Sequence, residues 1–160
     1  RPGNDTYWFS DYFADLEAIL DHYAPDEAVN LLGHSMGGNI VSVYAGVRPA
    51  RIAKLINLEG FGLPATQPAQ APGRYAKWLD EVKAPPAMSG YASLEAVAAR
   101  LQKTNPRLPA DRAAFLAQHW SARNAQGAWE ILGDPAHKMT GPLLYQVEEV
   151  LACWRRIAAA

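Results

Sequence analysis

Cysteine is nearly absent. Cys153 stands alone, so no internal disulfide can form. The chain must be held by its core, and a single thiol suits a reducing compartment, which makes the cytoplasm the expected location. Long apolar runs are missing too. Nothing reaches the roughly 18 to 20 consecutive apolar residues of a membrane span, and the opening "RPGND" has none of the features of a signal peptide. Basic clusters are lacking beyond Arg155-Arg156, and 15 basic against 16 acidic residues give a net charge of −1. Neither nucleic acid nor an anionic membrane surface is therefore an expected partner. No His-x-x-x-His or Cys/His spacing suggests a metal, and neither G-x-x-x-x-G-K-[ST] nor G-x-G-x-x-G is present, so no cofactor is expected. An initial methionine is missing as well, which raises processing or truncation.

What is there is enough for a folded domain: 49% of the 160 residues are hydrophobic and only 19% charged, too apolar for a disordered chain. From Trp8 to Tyr23, apolar residues recur at three- and four-residue steps, with Asp11, Asp15, Glu17 and Asp21 on the other side. That spacing predicts an amphipathic helix, with Asp5 or Thr6 as its cap. "AVNLLG" then reads as a buried strand, "SMGGNIVSVYAGVRP" as a helix stopped before Pro49, and "RIAKLINLEG" as a second strand ending at Gly60. This order predicts βαβ units in a parallel sheet.

After Phe61, "GLPATQPAQAPG" reads as a linker or surface excursion. Helical patterns follow at about Arg74 to Val82, Ser93 to Lys103 with Ser93 as N-cap, and Ala110 to Ser121. "AWEIL", at 128 to 132, suits a short extended piece, and a last helix is expected from about Leu143 to Ile157.

The stretch with chemistry in it is Gly33-His34-Ser35-Met36-Gly37, a G-x-S-x-G with Gly38 extending it. A serine lifted out of a strand-to-helix turn sits in strained backbone, and strand and helix must pass close beside it. Glycines at 33 and 37 are expected to remove side chains that would collide. Ser35 then stands at a helix N-terminus, where the backbone N–H of Met36 is placed to donate to an oxyanion. A glycine-rich turn with an idle serine is the plainer alternative.

"LLGHSMGGNIVSVYAGVRPARIAKLINLEGFG" resembles the nucleophile elbow and following strand of the α/β-hydrolase superfamily, and "RPGNDTYWFSDYFADLEAIL" is similar to the segment before it, with Arg1-Pro2 like the end of a G-x-S-x-R-P loop. The resemblance implies an α/β fold class: a partial α/β-hydrolase core over residues 1–62, a mainly helical lid or cap over 63–142, and a helix leading back to the core over 143–160. "GDPAHK" is similar to a stretch near the lid's end in some members.

That resemblance implies Ser35 as nucleophile and Met36 as one oxyanion donor, the other lying upstream of Arg1. The family's acid usually follows a later strand. In some members, haloalkane dehalogenases among them, it ends the strand after the elbow, where this chain has Glu59. None of the four histidines fits the position of the family's base. His34 lies inside the elbow, where it packs or bonds locally, His22 lies near a helix end, and His119 and His137 fall in the lid.

Two parallel strands would also leave edges unpaired and helix faces uncovered. The expectation is thus an internal piece of a longer serine hydrolase, with "RRIAAA" leading into the next strand and a small ester-like molecule as substrate. Carbon–carbon cleavage or cofactor-free peroxidation on the same fold, and a non-catalytic binding module, are the rivals. Serine rather than aspartate at 35 argues against dehalogenase or epoxide hydrolase chemistry. Trp78, Trp120, Trp129, Trp154, Tyr75, Tyr91 and Tyr145 are expected to be core, and Cys153 a buried, inert thiol.

Overall fold

The computed structural model describes residues 7–160. The elements are α1 (Phe9–Tyr23), β1 (Val29–His34), α2 (Met36–Val47), β2 (Ile52–Leu58), α3 (Ala71–Lys83), α4 (Leu94–Thr104), α5 (Ala110–Trp120), β3 (Ser121–Arg123), β4 (Trp129–Ile131) and α6 (Val147–Trp154), with 3-10 turns at Pro49–Arg51, Pro68–Gln70 and Pro135–Lys138. They form two compact units, one of the described residues up to Asp80 with Thr140–Ala160, the other of Glu81–Met139.

In the first unit β1 and β2 pair in parallel, as the order of elements requires, with Leu32 opposite Ile56, Gly33 opposite Asn57 and His34 opposite Leu58. The crossover is α2, whose residues from Gly38 to Gly46 are all buried. Nearly continuous apolar sequence on a helix means burial on most sides. The core gathers Leu20, Tyr44, Ala45 and Ile52, with Phe13, Leu16, Leu31, Leu55 and Ile157 packed against them. At Gly46, α2 runs so close to α6 that a Cβ would overlap the Cys153 carbonyl. Beyond Ile157 the chain passes along β2, where the Leu55 N–H donates to the Ala160 carbonyl over 3.1 Å.

Polar groups fasten α1 to α2. The Tyr44 hydroxyl donates to one Glu17 carboxylate oxygen, and the Arg48 guanidinium donates to the other over 2.9 Å. Arg51 donates to Asp21 and to the carbonyls of Ala24 and Pro25, holding the end of α1 to the turn before β2. Helix α1 begins one residue inside the expected span, with Trp8 at its cap position and the Asp11 carboxylate accepting the Trp8 N–H over 3.0 Å. Asp5 and Thr6, expected as caps, lie outside the described residues, as does Arg1-Pro2.

Helices α3 and α6 depart furthest from the sequence expectation. Helix α3 starts at Ala71 rather than near Arg74, taking Pro72 into its first turn, where a missing N–H costs nothing. Helix α6 starts at Val147 rather than Leu143 and ends at Trp154 rather than Ile157; ahead of its start the Tyr145 carbonyl accepts from the Thr66 hydroxyl (2.8 Å) and the Gly141 carbonyl from Arg74 (2.8 Å).

In the second unit α4 packs on α5 around Val97, Ala113 and Ala117, all fully buried. Ser93 caps α4 as expected, accepting from the Ala96 N–H over 3.2 Å. The extended "AWEIL" piece is real as β4, and it pairs antiparallel with β3, whose first residue, Ser121, falls at the end of the helix expected over Ala110 to Ser121. Asn124 makes the turn: its side chain accepts from the Gln126 and Ala128 N–H groups, and Gly127 supplies φ +79°. The Arg123 guanidinium lies 5.3 Å from the centre of the Trp129 ring, and Tyr91 bridges to Trp129. None of the seven aromatics expected in the core is fully buried: Trp120 and Tyr75 are exposed, and Trp78, Tyr91, Trp129, Tyr145 and Trp154 are half-buried. Cys153 is half-buried rather than buried. Among the described residues no helix is long and apolar enough to cross a membrane.

Candidate active site

β1 ends at His34, α2 begins at Met36, and the single residue between them is Ser35, with φ +52° and ψ −117°. Among the described residues only Ser35 and Glu59 are non-glycine residues at positive φ. Such a conformation costs on the order of 1–3 kcal/mol and persists only when neighbours enforce it. Here the enforcing bond comes from the next strand, since the Leu58 carbonyl accepts the Ser35 N–H over 2.7 Å.

The glycines act differently from the expectation. A Cβ at Gly33 would overlap the Gly37 carbonyl, and one at Gly38 would lie 2.5 Å from Asn57 Oδ1 and 3.0 Å from Gly60 Cα. Gly37 itself has no such conflict: a Cβ there would meet nothing within 4 Å among the described residues. The steric pair is therefore Gly33 and Gly38. Gly37 contributes the backbone that Gly33 must clear.

The first bond within α2 is that of the Asn39 N–H to the Ser35 carbonyl (3.1 Å), so the N–H groups of Met36, Gly37 and Gly38 have no partner inside the helix. They gather beside Ser35 at the positive end of the helix dipole, the electrostatic setting an oxyanion requires. Met36 occupies the first helical position.

Glu59 follows β2 directly, at φ +62°. Its carboxylate lies 3.9 Å from His34 Nε2, with both side chains mostly exposed. At that distance and exposure the pair is weak. The fold brings Ser35, His34 and Glu59 to one end of the two strands. His22 makes an edge contact with Tyr23 at the end of α1, while His119 Nδ1 lies 2.8 Å from the Phe115 carbonyl within the second unit, which also holds His137. Among the described residues no three His, Cys, Asp or Glu side chains gather as a metal would need.

Sequence reading passed over the polar residues that tie this end together. Asn57 donates to Ser42 Oγ (2.8 Å) and to the Gly60 carbonyl (2.9 Å) and accepts from the Gly60 N–H (2.7 Å). Asn39 accepts from the Gly62 N–H over 2.8 Å. An asparagine inside the apolar run "KLINLEG" was the available signal.

A pocket of about 480 Å³ lies elsewhere in the first unit, between α1, α2 and α6, lined by Phe9, Phe13, Val43, Val47, Leu144 and Cys153 among others, and Ser35 is not part of its wall.

Comparison with known proteins gives the family of this fold. The family model described as the alpha/beta hydrolase fold matches residues 1–130, and the chain belongs to that family. Among solved structures it is similar to a hypothetical protein from Pseudomonas aeruginosa PAO1, with a TM-score of 0.79 and 23% identity over 99% of this chain and 56% of that one. It is also similar to the thioesterase domain from the curacin biosynthetic pathway (TM-score 0.77, 25% identity, 97% of this chain and 56% of that one). A third similar structure is a Mycobacterium tuberculosis esterase (TM-score 0.65, 17% identity, 98% of this chain and 51% of that one). The chain thus spans little more than half the length of these relatives. No curated protein matches it significantly.

Proposed function

We propose that the protein to which this chain belongs is a serine hydrolase that cleaves small carboxylic esters or thioesters, with Ser35 as nucleophile. The observation that carries the reading is the backbone of Ser35, held at φ +52° between a strand and a helix N-terminus. Backbone strain of this kind is costly and clusters at active sites, and the N–H groups of Met36, Gly37 and Gly38, which have no partner inside the helix, match the charge that acyl transfer develops. The likeness to a thioesterase domain and to an esterase agrees with an acyl substrate.

In this reading Ser35 Oγ attacks the carbonyl carbon as its proton passes to a histidine, and the Met36 N–H stabilises the oxyanion. Collapse of the tetrahedral intermediate expels the alcohol or thiol, which takes that proton, and leaves an acyl-enzyme. Water then releases the acid by the same steps in reverse. The histidine is assigned to a part of the protein outside these 160 residues, because none of the four present falls where the resemblance puts the family's base. Glu59 is the candidate acid that orients it. No cofactor enters the scheme, and the single Cys153 supports a cytoplasmic setting.

The test is labelling of the full-length protein by a fluorophosphonate probe, followed by mass mapping. A covalent adduct on Ser35 is expected, and Glu59→Gln should slow its formation by orders of magnitude. Ser35 left intact under conditions that label a control hydrolase would favour a non-catalytic binding module. Normal labelling of Glu59→Gln would move the acid role to a later residue.

A further inference from the structure

We infer that Asn57 is a positioning residue for the nucleophile: its side-chain amide fixes the peptide that holds Ser35 in its strained conformation. The inference rests on the reading of Ser35 as nucleophile and goes beyond it to a residue that touches neither serine nor substrate.

Asn57 stands opposite Gly33 in the sheet register, two residues before Ser35 on the facing strand. Its amide closes a short loop upon Gly60, accepting from that N–H at 2.7 Å and donating to that carbonyl at 2.9 Å. Because Gly60 offers one donor and one acceptor, the orientation of the amide is determined. The second amide proton goes to Ser42 Oγ, 2.8 Å away on α2. Inside the closed loop are Leu58, whose carbonyl accepts the Ser35 N–H, and Glu59, at φ +62°.

The loop is also pressed onto the helix that Ser35 opens. A Cβ at Gly60 would lie 2.5 Å from the Gly38 carbonyl carbon and 2.6 Å from the Asn39 nitrogen, and Asn39 in turn accepts from the Gly62 N–H. Residues 57 to 62 and the first two turns of α2 are therefore one interlocked body. Asn57 reaches both halves from the loop side, as Asn39 does from the helix side. The residue as a whole is exposed, so its bonds compete with water and their burial energy is modest. What they supply is geometry. If the loop relaxes, the Leu58 carbonyl shifts, and Ser35 loses the partner that keeps its N–H and its φ in place. Misplacement of a reacting atom by about 1 Å costs on the order of 100-fold in rate.

The experiment compares Asn57→Asp with wild type in the full-length protein, measuring fluorophosphonate labelling at Ser35 as kinact and KI, with unfolding curves alongside. The substitution keeps the size and the oxygen facing the Gly60 N–H but replaces both donors by an oxygen that faces the Gly60 carbonyl. Expected is a fall in kinact of about 10- to 100-fold, per folded molecule, with KI changed by less than about twofold. A variant that is less stable yet labels at the wild-type kinact once folded overturns the inference, since a merely structural bond would behave so. If Asn57→Asp does not fold, Ser42→Ala removes a single partner of the amide and should lower kinact about fivefold; an unchanged kinact there is equally decisive against it. Wild-type protein that does not label at all removes the nucleophile reading itself, an outcome distinct from labelled wild type with unaffected variants.

Discussion

At the scale of single residues, the elbow depends on what two glycines lack. A Cβ at Gly38 would intrude on Asn57 Oδ1, Gly60 Cα and the Gly33 carbonyl at 2.5 to 3.1 Å, whereas one at Gly37 would meet no atom within 4 Å among the described residues. Gly38→Ala should therefore destabilise the protein by about 1–3 kcal/mol through overpacking. Gly37→Ala, inside a helix at negative φ, should be neutral or stabilise by about 0.4–1 kcal/mol. Denaturant midpoints of the two variants check this. The contrast is sharp, because Gly37 belongs to the sequence motif and Gly38 is only its extension; equal losses would refute the steric assignment. The motif itself was legible, since G-x-S-x-G encodes a local demand between neighbours in the chain. Asn57 was not, because its partners at 42 and 60 become neighbours only after the strand and helix pack.

Between elements, the α1–α2 contact is held by a carboxylate and a phenol that shift each other. Accepting a hydrogen bond from Tyr44, with help from Arg48, keeps the Glu17 carboxyl below its usual 4.5 despite some desolvation. Burial first, and then the bond to Glu17, pushes the Tyr44 hydroxyl up to about 12. The signs follow from proton linkage. Glu17 is charged more readily when folded, so its contribution is complete above its unfolded value and is lost as pH falls through the lowered folded one. Tyr44 keeps its proton more tightly when folded, so its contribution is complete below 10 and is lost as pH rises from 10 towards about 12. Urea midpoints against pH should therefore decline on both sides. Tyr44→Phe should flatten the alkaline limb and shrink the acid one, and parallel curves for variant and wild type would sink the account. Most elements were legible from apolar spacing, the strongest local signal. The start of α6 and the β3–β4 hairpin were not. The first depends on Thr66 and Arg74 taking carbonyls ahead of the helix, the second on three-residue strands too short to show a period.

For the whole molecule, the decisive surface is the sheet face turned away from the core. Leu32, Ile56 and Leu58 are 60%, 50% and 46% exposed. Leu32 and Ile56 are register partners, and Leu58 follows on the same side, so the three form one apolar patch. Parallel sheets are ordinarily covered on both faces, and burying each such side chain contributes about 1.5–3 kcal/mol. The solved relatives are nearly twice as long over the same fold, with 56% of the Pseudomonas chain accounted for by this one. In any longer protein of this fold, further chain would have to cover such a face. Residues 1–160 prepared alone should therefore bind a hydrophobic dye strongly and self-associate, and Leu32→Lys with Ile56→Lys should weaken both effects. The full-length protein should show neither, and in it the same two substitutions should instead destabilise by several kcal/mol, as unpaired charges do when buried. A dye-silent, monomeric 1–160 would mean that the patch is not sticky. A full-length protein indifferent to the two lysines would mean that nothing covers it.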